Sequence, residues 1–284
     1  MKIIGLVAVA GLLHACGAIK LAYNQAPQLT YLYLDGYVDF NSAQTVKVKE
    51  DLHQLHDWHR QTQLPGYVKS LQAFRHQLAG NLQPQAACRV FEDARSKVLA
   101  VSAQAEPSMA ALIPTLEASQ LRQMEKKFAK RNADYRDDYL DGTPEKLRAK
   151  RIKEAVKRAE MLYGKLDDRQ LALVAARVDS STFNAERAYA EQLRRQRDTL
   201  QTLAPLISGQ STPEVARLAL RRLMDRTLVS PDKDYRAYAD TFTREACETF
   251  AELHNSTSAR QRAKAAEVLR GYEDHFRGLA APDA

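Results

Sequence analysis

The sequence predicts an all-α protein, a multi-helix bundle of roughly ten antiparallel helices that follows a cleaved signal peptide. Three observations carry this expectation. Apolar residues recur at spacings of three and four along nearly the whole chain. No run alternates apolar and polar residues between Gly or Asn turn pairs, as a strand hairpin would. Helix-start signals also repeat: Asn41-Ser-Ala-Gln44, Asp167-Asp-Arg-Gln170 and Ser258-Ala-Arg-Gln261 each set a cap oxygen three residues before a glutamine that reaches back to the cap amide.

In chain order, the first sixteen residues, MKIIGLVAVAGLLHAC, place Lys2 before an apolar run from Ile3 to Leu13, and Ala15 directly before Cys16. The run is too short to cross a bilayer as a lasting helix and has the length of a secretory signal core. LHAC resembles the bacterial lipobox, with His14 an unusual member. That resemblance implies diacylglycerol on the Cys16 thiol, cleavage after Ala15 and acylation of the new amine. Gly17 stands where an aspartate marks inner-membrane retention in many Gram-negative lipoproteins, so the resemblance implies an outer-membrane anchor with the body on the periplasmic side. The expected domains are a signal peptide over 1–15 and a helical domain over 16–284, divisible into lobes 16–165 and 166–284. No Ser/Gly-rich tether follows Cys16, and Ala18 to Tyr23 reads as structured, which sets the body close to the membrane.

Tyr23, Tyr31, Tyr33 and Tyr37 then place four of the 12 tyrosines near the anchored terminus. Two readings stand: rings buried in the core, or rings at the level of lipid headgroups. Asn41 opens the next helix, Pro65-Gly66 reads as a stop, and Gly80-Asn81 as another. Glu117-Ala-Ser-Gln120 is a weaker start. Asp141-Gly142 separates it from Thr143-Pro-Glu145, a second start type with a cap threonine, proline at the first helical position and an acid against the helix dipole. Gly164 precedes Asp167, Ser208-Gly209 precedes Thr212-Pro-Glu214, and Ser230-Pro231 precedes the last start at Ser258. Connections this short favour antiparallel packing of sequence neighbours.

The chain carries 42 Lys and Arg against 35 Asp and Glu, a formal charge of +7. In the cytoplasm such a surplus would point to nucleic acid. A secreted chain points instead to anionic lipid headgroups, lipopolysaccharide phosphates or acidic cell-wall polymers, and not to nucleic acid. The surplus concentrates between Arg122 and Lys165. There Ile152, Ala155, Val156, Ala159, Leu162 and Tyr163 share one helix face, and Lys146, Lys150, Lys153 and Lys157 lie largely on the other. This is either an ordinary solvated face or a site for anions.

Apart from Cys16, only Cys88 and Cys247 remain. An oxidising compartment allows one bridge between them. Each also lies three residues from a phenylalanine, Phe91 or Phe250, so two small buried hydrophobes is an equally good reading.

Catalytic and metal motifs are absent from the sequence. There is no GxSxG elbow, no phosphate-cradling glycine loop and no HExxH. His53, His56 and His59 step by three and spread around a helix instead of sharing a face; His53 with Asp57 has better ligand spacing but no sequence partner, so no metal is expected. The pairs Asp137-Asp138 and Asp167-Asp168 read as caps and surface.

Two segments combine hydrogen-bonding heads with aromatic bodies: Trp58, His59, Arg60 and Tyr67, and Arg131, Asn132, Tyr135, Arg136 and Tyr139. Asn132 interrupts the apolar stripe Leu121, Met124, Phe128, Tyr135, Tyr139, and a buried amide there demands partners from tyrosine hydroxyls or a neighbouring helix. The expectation is that both segments meet in one shared polar network or ligand site, with Asp134 or Asp138 as counter-ion for an arginine.

LAYN (Leu21 to Asn24), WHRQTQLPGY (Trp58 to Tyr67) and RNADYRDDYL (Arg131 to Leu140), with the lipobox, resemble a family of Gram-negative helical lipoproteins catalogued as a domain of unknown function. The resemblance runs through most of the mature chain and implies localisation and helical fold without an activity. More loosely, Leu116-Glu-Ala-Ser-Gln120 and Leu166-Asp-Asp-Arg-Gln170 are similar to the LTxxQ signature of helical periplasmic chaperones and stress sensors, with Glu117 or Asp167 in place of the threonine. The expectation is therefore a non-catalytic scaffold or binding module for envelope components, whose partners are the membrane, through its lipid, and anionic lipids, cell-wall polymer or envelope proteins. It is not expected to be an enzyme or to hold a cofactor beyond the lipid on Cys16. The alternative is a chaperone or envelope-stress sensor.

Overall fold

The computed structural model describes residues 19–281. The expected signal peptide over 1–15 and the lipidation site Cys16 lie outside the described residues. Residues 19–24 are helical and lead into α1 (Ala26–Val38). There follow α2 (Ser42–Trp58), a π-helical segment (His59–Gln63), α3 (Leu64–Gln77), α4 (Pro84–Leu112), α5 (Ala118–Tyr139) and α6 (Pro144–Tyr163). The remainder is α7 (Asp168–Ser180), α8 (Ala185–Leu203), α9 (Pro213–Leu228), α10 (Lys233–Asn255) and α11 (Ala259–Ala280). The protein is an all-α multi-helix bundle, with no strand among the described residues. No helix among them is long and apolar enough to cross a membrane.

The starts form as their local chemistry dictates. Asn41, Glu117, Asp167 and Ser258 each complete a two-way capping box with the glutamine three residues on. Thr143 and Thr212 accept from the amides of Lys146 and Val215, with proline in the first turn. Asn184 and Asp232 cap α8 and α10 in the same way. The stop expected at Pro65-Gly66 does not occur. The π-helical turn over His59–Gln63 inserts one residue, so Pro65 falls in the first turn of α3, where its missing N–H matters least. The chain thus stays helical from Ser42 to Gln77.

Two apolar clusters lie toward opposite ends of the 29-residue α4, which spans about 43 Å. The first gathers Leu78, Leu82, Ala87, Tyr163, Leu166, Val174, Cys247, Leu253, Ala265 and Leu269. Ala155, Val156, Ala159 and Leu162 of α6 pack against it, which is the apolar face read from the sequence. The second gathers Ala110, Ile113, Leu116, Leu203, Leu206, Ile207, Ala216 and Leu220. Each cluster draws residues from both sides of residue 165. Sequence neighbours do pack in α1 with α2 and α6 with α7, but the most extensive helix pair joins α3 to α11, and α4 packs against both α9 and α10.

Candidate functional site

The first polar segment gathers around the π-helical turn. His59 sits between two tyrosine hydroxyls, with Nδ1 2.8 Å from Tyr23 Oη and Nε2 3.0 Å from Tyr67 Oη. One neutral ring nitrogen donates and the other accepts, so both are occupied. His56, one turn earlier, donates from Nε2 to the Tyr23 carbonyl at 3.0 Å. Arg60 donates to Asn24 Oδ1 at 2.6 Å and lies 5.7 Å from the centre of the Tyr23 ring. Tyr67 meets the Phe276 ring edge-on, 5.9 Å between centres, which ties the cluster to α11.

Burial governs the electrostatics of this cluster. It pushes the Tyr23 phenol up to about 12 against the opposing pull of Arg60. It also pushes the His59 and His56 imidazoles below their ordinary range, and on His56 the Arg60 guanidinium acts in the same direction while the bond to the Tyr23 carbonyl and the Asp57 carboxylate oppose it. The imidazoles are neutral at pH 7. His53, the third of the series, is exposed. Among the described residues no group of three His, Cys, Asp or Glu side chains is arranged to hold a metal ion.

The second segment forms a separate network on α5. Asn132 Oδ1 accepts from Gln192 Nε2 at 2.8 Å and from Gln196 Nε2 at 2.9 Å, while its own Nδ2 donates to Gln196 Oε1 at 2.9 Å. This is a three-amide lock between α5 and α8. Tyr135 donates to the Ala185 carbonyl, stacks on Tyr189 at 5.4 Å and leans on Tyr139 at 4.8 Å. Arg131 is exposed and donates to Tyr37 Oη at 3.3 Å. Arg136 and Asp141 are both exposed, 3.6 Å apart, and Asp138 pairs with Lys150.

The two segments therefore do not meet, which corrects the expectation of one shared site. The π-helical cluster anchors at Tyr23 and the α5 network at Tyr37, fourteen residues farther along the N-terminal helical run. At 1.5 Å per residue those anchors lie about 20 Å apart. The segments look alike in composition because each ties a helix edge to a different neighbour.

Cys88 and Cys247 form a disulfide with a Cα–Cα distance of 5.3 Å. It joins the start of α4 to the middle of α10 inside the first apolar cluster. The structure also holds three polar features that the sequence reading did not single out. Gln44 and Gln120, the glutamines of two capping boxes, bond to each other, as do Gln170 and Gln261. His254 is fully buried between Tyr163 Oη at 3.1 Å and the Gly80 carbonyl at 2.8 Å. The buried Glu191 binds Arg194, Arg195 and Ser230, while Arg226 and Arg194 share Asp198. The four capping boxes were visible in sequence; their pairing had no signal there.

In one groove several polar side chains are engaged with the protein itself. A shallow groove between the start of α4 and α10, about 330 Å³, is lined by Leu82, Pro84, Arg177, Glu248 and Asn255. There Arg177 pairs with Glu252 and Asn255 holds Leu82 through both backbone atoms.

A family model described as "Family of unknown function (DUF6279)" matches residues 36–236, a stretch that includes the segments 58–67 and 131–140. No curated protein and no solved structure matches the chain.

Proposed function

The chain belongs to the family of unknown function DUF6279, and we propose that it is an outer-membrane-anchored periplasmic lipoprotein acting as a non-catalytic scaffold or binding module for envelope components. The observation that carries the compartment is the Cys88–Cys247 bond. It pairs the two cysteines that remain once Cys16 is lipidated, and such a bond persists where thiols are oxidised. The signal-like start ending at Cys16 and Gly17 supplies the address.

The non-catalytic reading draws on how the polar clusters are wired. A general base needs a free lone pair near a cleft. Both nitrogens of His59 and of His254 are bonded within the fold, Asn132 is held by two glutamines, and Glu191 is held by two arginines. Such clusters position helices. The partners proposed are the membrane and anionic lipid, cell-wall polymer or envelope proteins, with no nucleic acid and no cofactor beyond the covalent lipid.

The alternative of a chaperone or stress sensor draws on the LTxxQ-like segments ending at Gln120 and Gln170. These glutamines cap their own helices and bond a second helix start, which accounts for the pattern without client binding. Metabolic labelling with a palmitate analogue should mark the wild-type chain and not Cys16→Ser; labelling of both overturns the anchor. In-cell crosslinking followed by co-purification separates the two roles. A single membrane or wall partner supports the scaffold, and many unrelated unfolded clients support the chaperone.

A further inference from the structure

The N-terminal helical run exposes large apolar side chains along one side. Leu21, Leu29, Leu32 and Tyr33 are each more than half exposed, at 64%, 54%, 55% and 58%. In α1, Leu29, Leu32 and Tyr33 fall on one face by the three-and-four spacing of a helix. The opposite side is occupied by Tyr31, which is buried, bonds Thr45 and lies under the Lys49 ammonium, while Tyr37, one turn beyond Tyr33 on the same side, packs edge-on against Phe128 of α5. A cluster of large exposed apolar side chains on one element is unusual for a surface that meets only water.

Two further observations select the occupant. First, residues 19–24 are helical and follow Cys16 closely in sequence, so on the lipoprotein reading this run is the part of the described body nearest the anchor. Second, the helix beside this face brings cations. Lys127 of α5 lies against Gly36, Arg131 reaches Tyr37, whose ring is 5.2 Å from that of Tyr33, and Lys130 is exposed between them in sequence. Lys20 is exposed on the run itself. Among the described residues no carboxylate lies within ion-pair distance of Lys20, Lys127 or Lys130, whereas Arg148 and Lys150 on α6 are paired with Asp179 and Asp138.

We propose that the Leu21, Leu29, Leu32 and Tyr33 side of the N-terminal helical run rests on an anionic lipid surface, with Lys20, Lys127 and Lys130 facing the headgroups. Apolar side chains and a tyrosine with its polar tip suit the acyl-headgroup boundary, and nearby cations add attraction to anionic lipid. The acyl chains that the lipoprotein reading puts on Cys16 account for retention, and a second contact of this kind sets the orientation of the body on the surface. The inference rests on the lipoprotein reading for how the chain arrives at the membrane.

The test is radical footprinting of the full wild-type chain on vesicles of phosphatidylethanolamine and phosphatidylglycerol, read by mass spectrometry at single tyrosines. Tyr33 is more exposed than Tyr139 or Tyr272, at 58% against 41% and 39%, so lipid-free geometry makes it the fastest of the three to be oxidised. On anionic vesicles it should become the slowest, at least fivefold below the others, and the protection should weaken several-fold in the Lys127→Glu/Lys130→Glu chain. Tyr33 remaining the fastest, or protection indifferent to those charges, overturns the proposal. Protection in detergent micelles that grows with protein concentration assigns the face to a second copy and also overturns it. The mass of the Cys16 peptide from the same sample separates the two readings. An acylated peptide with a fast Tyr33 defeats only the resting surface, and an unacylated one with a protected Tyr33 defeats only the anchor.

Discussion

Gln44 and Gln120 bond to each other in both directions, Nε2 of Gln44 to Oε1 of Gln120 at 3.2 Å and Nε2 of Gln120 to Oε1 of Gln44 at 2.7 Å. Each also caps its own helix and reaches a carbonyl just ahead of the other's cap, Thr115 for Gln44 and Asp39 for Gln120. Gln170 and Gln261 repeat the arrangement, 2.9 and 2.8 Å apart, reaching Ser256 and Lys165. Leu116 and Leu166, which directly precede two of the caps, sit in the second and the first apolar cluster respectively. The fold thus uses one joint twice, once per cluster.

This joint predicts a coupled mutant cycle. Gln120→Leu removes half of a capping box and leaves a buried Gln44 amide short of a partner, a loss of about 2 to 4 kcal/mol. The Gln44→Leu/Gln120→Leu double variant should lose less than the sum of the two singles, because the unsatisfied amide disappears with its partner. Denaturant midpoints of the four chains measure this; strict additivity contradicts the joint.

The disulfide closes a loop with a sequence separation of 159. Chain entropy alone makes that worth up to about 5 kcal/mol. The Cys88→Ser/Cys247→Ser chain should therefore unfold at markedly lower guanidinium concentration while keeping its helical circular dichroism. An unchanged midpoint would mean the bond contributes nothing.

His254 predicts a pH dependence. Because the Gly80 carbonyl only accepts, Nε2 carries the proton and Nδ1 accepts from Tyr163, so the ring is buried neutral. Burial pushes its pKa below the ordinary value, with Arg262 acting in the same sense and the Gly80 bond against it. Above about pH 6.5 neither state is protonated and the contribution is complete. Below it the unfolded chain takes up a proton that the native chain does not, so stability falls as pH falls, by up to about 1.4 kcal/mol per pH unit. His56 and His59 act with the same sign. Urea midpoints at pH 7.5 and 5.5 should differ more in the wild type than in His254→Gln.

Asn132→Leu should lower stability by about 1 to 3 kcal/mol, because it leaves the Gln192 and Gln196 amides without their shared partner. Arg131→Ala removes an exposed bond to Tyr37 and should stay within about 0.5 kcal/mol of the wild type. Thermal melts of the two variants rank them; the reverse order would show that the amide lock contributes less than the exposed Arg131 bond.

The sequence by itself determined the helical class, the positions of six of the helix caps and the apolar face of α6. A cap is decided within four residues, by a side-chain oxygen meeting an amide of its own first turn, so Asn41, Asp167 and Ser258 were legible without any fold. Even the misjudged break at Pro65 was local, and its outcome hinged on one extra residue in the π-helical turn. Only the tertiary structure decided what the polar heads would meet. His59 finds Tyr23 and Tyr67, Asn132 finds Gln192 and Gln196, and Cys88 finds Cys247 because distant helices were packed together by two apolar clusters. Their helix faces were written in the pattern, but a pattern of period 3.6 says which side is apolar and not which other helix will cover it.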